Sequence, residues 1–409
     1  MEVMYPRCAG LDVHSRCVNA CARIATGRKA TTEHREFATT TAGLFELSEW
    51  LTEAGCTHVA MEATGVYWRP VWHILEDAES FELLLANPQH IRNVPGRKSD
   101  RKDAAWIADL LAHGLIEGSF VPPAPIQALR DLTRTRKQLM REIARHTLRV
   151  QKTLEDANVK LTRVVSDILG ASGRAILSAL IAGETDPERL ADCTTGRLKA
   201  DRAEIVAAVH GRVTEHHRFL LKLHLTQVDA LTAAVQQVEQ QADEVLGPFR
   251  EAADRLTTIP GVSETVARVI IAEVGVDMAQ FPTAGHLVSW AGLCPRLDES
   301  AGKRRSTRTR HATQWLKTTL VQAAWAATRK NGSYLQAQFR RLRGRCGPKK
   351  AIVAVAASML TAAYFMLRDE KDYHDLGGRY LADRDKERTT QSLLRRLRNL
   401  GVEVEVKAA

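Results

Sequence analysis

Between residues 8 and 92, short apolar runs with two-residue alternation are interleaved with stretches whose apolar positions recur every three to four residues. That mixture is the pattern of an α/β layer fold. Ala9–Val13, Arg16–Ile24, Glu33–Ala38, His58–Glu62 and Glu82–Ala86 are expected strands. Thr41–Ala54, Tyr67–Ala78 and Lys102–His113 are expected helices, the first capped by threonines that accept its free amide protons. Tyr67 and Trp68 are read as core aromatics of an amphipathic helix rather than base-stacking groups.

The proline-rich segment Val121–Pro125 ends this region, and long charged helices follow. Leu129, Leu132, Leu139, Ile143 and Val150 fall on interrupted heptad spacing, and Val228, Leu231, Val235, Val238, Ala242 and Val245 on an unbroken one. Two coiled-coil helices are expected, pairing within one chain or between chains, since both arrangements bury the same stripe. Residues 166–214 read as a small helical insertion between them. A third unit opens with LTTIPGVSETVARVIIAEVG, residues 256–275, where a Pro-Gly turn at Gly261 precedes a helix with free first amides. This resembles a helix-hairpin-helix element that grips a DNA phosphate. Ala351–Leu367 is apolar but short of the roughly 20 residues of a membrane span and is expected to be a buried helix. The expected fold class is therefore α/β plus α, with units at residues 1–125, 126–250, 251–370 and a basic tail at 371–409. In the first unit three strands precede the first helix, the element order of a ribonuclease-H-like fold.

Charge narrows the choice of partner. The 409 residues carry a formal net charge of +10. From Ser300 to Leu367 there is no Asp or Glu, against a dense set of cations that begins with Lys303, Arg304, Arg305, Arg308, Arg310 and Lys317. Uncompensated like charges at this density call for a polyanion, and phosphate backbone is the natural one. The seven cysteines are scattered without a C-x-x-C pair, and no secretory leader is evident, which together point to a reducing cytoplasm and no membrane.

The candidate chemistry is carried by acids. Asp12 closes the strand in CAGLDVHS, on one face with Gly10 and His14; His14 reads as a supporting residue. Glu62 ends the strand HVAME, ahead of the turn at Gly65. Asp100 and Asp103, in GRKSDRKDAAW, stand three apart at a helix start, flanked by Arg97, Lys98, Arg101 and Lys102. Four oxygen donors suit a hard divalent cation such as Mg²⁺, and two such ions about 4 Å apart stabilise the attacking and leaving oxygens of a phosphoryl transfer. Beyond LVSWAGLCPRLDE, Ser300 lies in a polar loop before Gly302 and the first cations. Composition alone does not choose Ser300 over Ser306 or Thr307 as a nucleophile.

GLDVHS, AMEATGVYW, KSDRKDA, IPGV, WAGLCP and the S-x-G-K at Ser300 together resemble the DEDD transposases of insertion sequence family one-ten and the related pilin-gene DNA invertases. The resemblance spans most of residues 8–150 and 250–370. It implies a RuvC-like catalytic domain holding Mg²⁺ on Asp12, Glu62, Asp100 and Asp103. It also implies a C-terminal transposase domain whose serine, here Ser300, becomes covalently joined to DNA. Donor and target DNA, a non-coding bridge RNA that selects both, and a homo-oligomer (a dimer, tetrameric in synapsis) in a prokaryotic, nucleoid-associated setting follow from the same resemblance. The protein would then read backbone and shape. The chain departs from the family where Gly-Asn and Leu-Arg are common, with Ala312, Thr313, Leu316 and Lys317 instead. Two other readings remain at this level: a RuvC-like junction nuclease that leaves Ser300 idle, and a non-catalytic nucleic-acid scaffold.

Overall fold

Strand β1 (Arg7–Val13) is buried at six of its seven positions, so it must be covered on both faces. The computed structural model describes residues 3–402 apart from 27–28, 64, 88–90, 92–99, 117, 197, 296–297, 301, 307, 310–313 and 385. It leaves the side chains of 100–102, 298–300, 304–305 and 387–389 undescribed. Two compact units result, Met1–Val121 and Pro122–Ala409.

In the first unit, β1 lies at the centre of a five-stranded sheet with β2 (Cys17–Thr26), β3 (Lys29–Ala38), β4 (His58–Glu62) and β5 (Glu82–Ala86), ordered β3-β2-β1-β4-β5. The first three strands are antiparallel; β4 and β5 run parallel to β1. Edge strand β3 is exposed at nine of ten positions and carries Glu33, His34, Arg35 and Glu36, charges that discourage pairing with another chain. One sheet face buries Ala9, Leu11, Val13, Val59 and Met61 against helices α1 (Thr41–Glu53) and α2 (Trp68–Asp77). The Thr40 side chain accepts the Gly43 amide and starts α1, as its threonines predict. The opposite face carries Cys8 and Ala60 against Ile107 and Leu111 of α3 (Asp100–Ala112).

Strand and helix positions agree with the sequence pattern, with β2 and β3 extended into the turn between them because the antiparallel ladder continues past the apolar residues. One aromatic differs. Trp68 packs partly buried on the core, whereas Tyr67 precedes the helix and is 47% exposed.

The second unit is helical. The long helices α4 (Ala124–Asp156) and α9 (Glu215–Leu246) pair with each other within the chain, which resolves the choice between internal and intermolecular pairing for these two. Arg136 bonds Glu239, His146 contacts His224 and Asp156 meets His217, so the residue numbers rise on one helix as they fall on the other and the pair is antiparallel. On α9, Leu221, Val228, Val235 and Ala242 are buried at an interval of seven residues, the heptad seam. Between them α5 (Leu161–Val164), α6 (Ala171–Ala182), α7 (Pro187–Asp192) and α8 (Arg202–Val209) form the expected helical insertion, around a core shared with Val150 and Leu154 of α4 and Leu221 of α9.

Helices α10 (Arg250–Thr257) and α11 (Glu264–Val274) flank the Pro-Gly turn, followed by α12 (Ala284–Trp290). Strands β6 (Asp298–Ser300) and β7 (Lys303–Ser306) form a hairpin; then come α13 (Gln314–Ala327), α14 (Tyr334–Cys346) and α15 (Pro348–Asp369). The tail forms α16 (Tyr380–Arg384) and α17 (Lys386–Asn399). Helix α15 is longer than its apolar run, at 22 residues, because Pro348 takes the first helical position and Lys349 and Lys350 its first turn. Its length and composition would allow a membrane crossing, yet Ile352, Val355, Met359, Leu360 and Ala363 are buried, and the helix packs on α10, α12, α13 and α14.

Glu273, fully buried on α11, ties α11 to α4. Arg134 donates through Nε and a terminal nitrogen to the two carboxylate oxygens at 2.8 Å each, and Arg130 donates to the carbonyls of Ala272 and Glu273 at the helix end. Removing the acid leaves Arg130 and Arg134, whose side chains keep 13% and 24% exposure, without their carboxylate, which costs about 3 kcal/mol, the low end for a buried pair. We expect Glu273→Ala to lower the urea midpoint of the helical unit accordingly, and an unshifted midpoint would show that the pair contributes nothing.

Candidate functional site

The carboxyl ends of the two central parallel strands hold the first two acids. Leu11 pairs with Met61 in the β1–β4 register, and Asp12 and Glu62 are the next residues on their strands. Side chains alternate along a strand, so Asp12 shares a face with Gly10, and Glu62 with Ala60. That is the α3 face. In open α/β sheets, ligands collect at the carboxyl ends of strands, and both acids stand there.

Gly10 sets how close α3 comes. A Cβ at this position would lie 2.3 Å from the Ala104 carbonyl oxygen and 2.4 Å from the Ala108 amide nitrogen. The missing side chain at residue 10 therefore admits a helix backbone. Ala104 and Ala108 are fully or almost fully buried there, beside Cys21. Arg23 of β2 reaches Asp109 at 3.3 Å and the Cys8 thiol bonds the Ala108 carbonyl, further ties between sheet and helix. Burial pushes the thiols of Cys8 up to about 12 and of Cys21 up to about 11, so both stay protonated at neutral pH and serve as packing groups.

With α3 seated in this way, its first turn lies toward the strand ends that carry Asp12 and Glu62. Asp100 and Asp103 occupy helical positions one turn before Ala104 and Ile107, the residues that face the sheet. Asp12 is only 7% exposed, and its Oδ2 lies 3.0 Å from His14 Nε2, which gives the histidine a supporting place beside the acid. Asp12, Glu62 and Asp103 offer oxygen only, the donor chemistry that hard divalent cations prefer. Among the described residues, no three His, Cys, Asp or Glu side chains close to metal-binding distance. The side chains of Asp100, Arg101 and Lys102, and residues Arg97 and Lys98 altogether, lie outside the described residues.

Ser300 is placed by a different device. The polar loop expected from the sequence is the β6–β7 hairpin, with Ser300 paired to Lys303 across a turn that holds Gly302 at φ +72°. Glycine takes this conformation without steric cost, which is why S-x-G-K can turn so tightly. Glu299 faces Arg304 and Asp298 faces Ser306 across the ladder. Ser306 therefore sits at the hairpin's base while Ser300 stands at its tip, a difference that composition could not supply. A bridge between Pro295 and Thr309 closes the base, and Lys317 of α13 donates to the Thr309 hydroxyl at 2.7 Å. Lysine at 317 thus anchors the segment that follows the hairpin. Lys303 and Arg308 are exposed; Arg310 and the side chains of Ser300, Arg304 and Arg305 lie outside the described residues.

The helix-hairpin-helix reading changes in two details. Gly261 has φ +83°, and a Cβ there would come within 2.4 Å of the Ala323 carbonyl oxygen, so the turn is held against α13. The first amides of α11 are not all free, since the Ser263 hydroxyl accepts the Val266 amide. Six cations that the sequence places only within a basic block are gathered by α14 and α15: Arg340, Arg341, Arg343, Arg345, Lys349 and Lys350 are all exposed around Gly347, where one helix ends and the next begins.

Comparison with known proteins gives a consistent set of similarities. A transposase family model of the IS110 DEDD type matches residues 9–159, and a second, described as Transposase IS116/IS110/IS902 family, matches residues 253–340; together they cover more than half of the chain. The insertion element IS900 uncharacterized 42 kDa protein of Mycobacterium paratuberculosis is 25% identical over 326 residues, 71% of this chain and 80% of that protein. The insertion element IS110 uncharacterized 43.6 kDa protein of Streptomyces coelicolor is 32% identical over 120 residues, 29% of each chain.

The close approach at Gly10 is directly testable. Gly10→Ala should destabilise the N-terminal unit by about 1–3 kcal/mol through overpacking. Gly118→Ala, whose Cβ would meet only Leu84 at 4.0 Å, should leave the thermal midpoint nearly unchanged. Equal midpoints for both variants would contradict the contact.

Proposed function

From the premise that this chain belongs to the IS110 family of DEDD transposases, we propose that it cuts and rejoins DNA with a carboxylate-held divalent metal site and the Ser300 hydroxyl. Membership makes it a DNA transposase acting on DNA. The observation that carries the finer reading is the placement of Asp12 and Glu62 at neighbouring carboxyl ends of β1 and β4, under the first turn of the helix that bears Asp100 and Asp103. The strand order β3-β2-β1-β4-β5, with three antiparallel strands followed by two parallel ones, supports a ribonuclease-H-like, RuvC-like sheet.

On this reading Asp12, Glu62, Asp100 and Asp103 hold Mg²⁺, as two ions. When bound, these supply Lewis acidity to the oxygens that attack and leave phosphorus. His14 orients the Asp12 carboxylate through their hydrogen bond. Arg97, Lys98, Arg101 and Lys102 offset acid repulsion and attract the phosphate backbone.

Ser300 Oγ attacks the scissile phosphorus, giving up its proton, and the displaced sugar oxygen departs as a hydroxyl; the DNA end is then held as a serine phosphodiester. Reversal by a second DNA hydroxyl reforms the backbone and returns the serine. The hairpin carries Ser300 at its tip; on this reading Lys303, Arg304, Arg305, Arg308 and Arg310 neutralise phosphate charge, and Lys317 positions the segment from the hairpin's base. Gly261 keeps the turn before α11 seated on α13, so the α11 N-terminus is presented to a DNA phosphate in a fixed orientation.

Target and donor choice by a bridge RNA accords with a large cationic surface that reads backbone and shape, and a dimer, tetrameric in synapsis, is the assembly proposed for strand exchange. The setting is the prokaryotic cytoplasm, at the nucleoid.

The test is recombination between a donor and a target plasmid, with the flanking non-coding RNA supplied. Ser300→Ala and Asp12→Asn should each reduce joined product by about 10⁴-fold or more. A protein–DNA adduct should form only with the serine present. Normal recombination by Ser300→Ala would transfer the chemistry to the metal site alone. Omission of the RNA with product unchanged would remove the guide.

A further inference from the structure

Helices α4, α9, α11 and α13 enclose a cleft of about 600 Å³ within the helical unit, lined by no residue of the β6–β7 hairpin and by none of the four acids. Arg134, Arg136, Lys137, Arg141, Arg268 and Trp315 are among its walls. Three of these five cations have carboxylate partners: Arg134 bonds Glu273, Arg136 bonds Glu239 and Arg268 bonds Asp243. Lys137 and Arg141 form no ion pair among the described residues; Lys137 donates instead to the Thr318 hydroxyl and the Trp315 carbonyl. The indole of Trp315 draws Arg134, Lys137 and Arg141 to within 5.7, 5.6 and 5.2 Å of its ring, an attraction that positions the cations without neutralising them.

Arg268, 7% exposed, bonds Asp243 through a terminal nitrogen, so it lends charge to the wall without offering a free donor to the cleft. The start of α11 also lines the cleft through Ser263, Thr265 and Val266, and a helix start favours negative charge. Burial and the nearby Arg141 both pull the Lys137 ammonium below its ordinary pKa, a penalty that an entering anion would relieve.

We infer that this cleft binds one nucleotide of a single-stranded nucleic acid, with the phosphate held by Arg141 and Lys137 and the base against Trp315. The volume lies in the range of sites for small ligands. A duplex is too wide to enter, whereas one unpaired nucleotide fits, and an aromatic wall beside guanidinium groups is the usual means of holding an unpaired base. The shared chemistry is a nucleotide phosphate, which a strand or a free mononucleotide could supply; the strand is favoured because Met140, Arg141 and Ala144 leave one side of the cleft open to solvent for the chain to enter and leave.

The test uses the full chain and fluorescently labelled single-stranded RNA and DNA oligonucleotides, with binding followed by anisotropy across a salt series. Arg141→Gln and Lys137→Gln should each weaken binding about 10-fold and reduce the slope of log affinity against log salt by about 0.7, the loss of one phosphate contact on a single strand. Arg141 is exposed, so its variant should keep the parent thermal midpoint and report binding rather than folding. An oligonucleotide carrying 5-iodouridine should photocross-link to peptides containing Trp315 or residues 132–144. Competition by uridine monophosphate at micromolar concentration, lost in Arg141→Gln, would identify a free nucleotide as the source of the same phosphate. Unchanged affinity and slope in both variants, with cross-links elsewhere, would overturn the site. The Arg141→Gln and Lys137→Gln binding slopes report on this cleft alone and the recombination of Asp12→Asn on the metal site alone, so the two failures are separate results.

Discussion

Everything proposed for the N-terminal unit depends on one close approach, that of α3 to Gly10. Two backbone atoms of the helix lie where a side chain at residue 10 would begin, so the helix can settle onto β1 only because that residue has none. The approach fixes where α3 starts relative to the strand ends, and hence where Asp100 and Asp103 stand relative to Asp12 and Glu62. Packed interiors transmit such constraints because they have little free volume to absorb a shift.

The helical unit is organised around a different kind of node. Glu273 has no access to water, yet it carries a charge, and it is tolerated because Arg134 satisfies both carboxylate oxygens while Arg130 takes the carbonyls at the end of α11. The node locks α11 against α4, the same pair of helices that bounds the cationic cleft. Positive charge is thereby concentrated near the α4 surface with only part of it neutralised, an arrangement that costs stability unless a polyanion completes it.

The two units handle charge in opposite ways. The sheet unit carries the carboxylates of Asp12 and Glu62 at neighbouring strand ends. The helical unit collects cations on its hairpin, on the corner between α14 and α15, and in the cleft. A transposase needs both, since metal-held acids must meet a backbone that would otherwise repel them.

Much of this was determined by local pattern. The five strands and three helices of the first unit, the long helices and the insertion between them follow from apolar periodicity and capping residues, because two-residue and heptad repeats record which side of an element is buried. The candidate acids Asp12, Glu62, Asp100 and Asp103 stand out in the sequence as motifs at strand ends and a helix start. Contacts between elements distant in sequence decided the rest. Gly10 and Gly261 owe their glycine to helices more than fifty residues away, and the two coiled-coil helices find each other across the insertion. Periodicity shows that a face is buried, but which surface covers it is a property of packing, and only the tertiary structure supplies that.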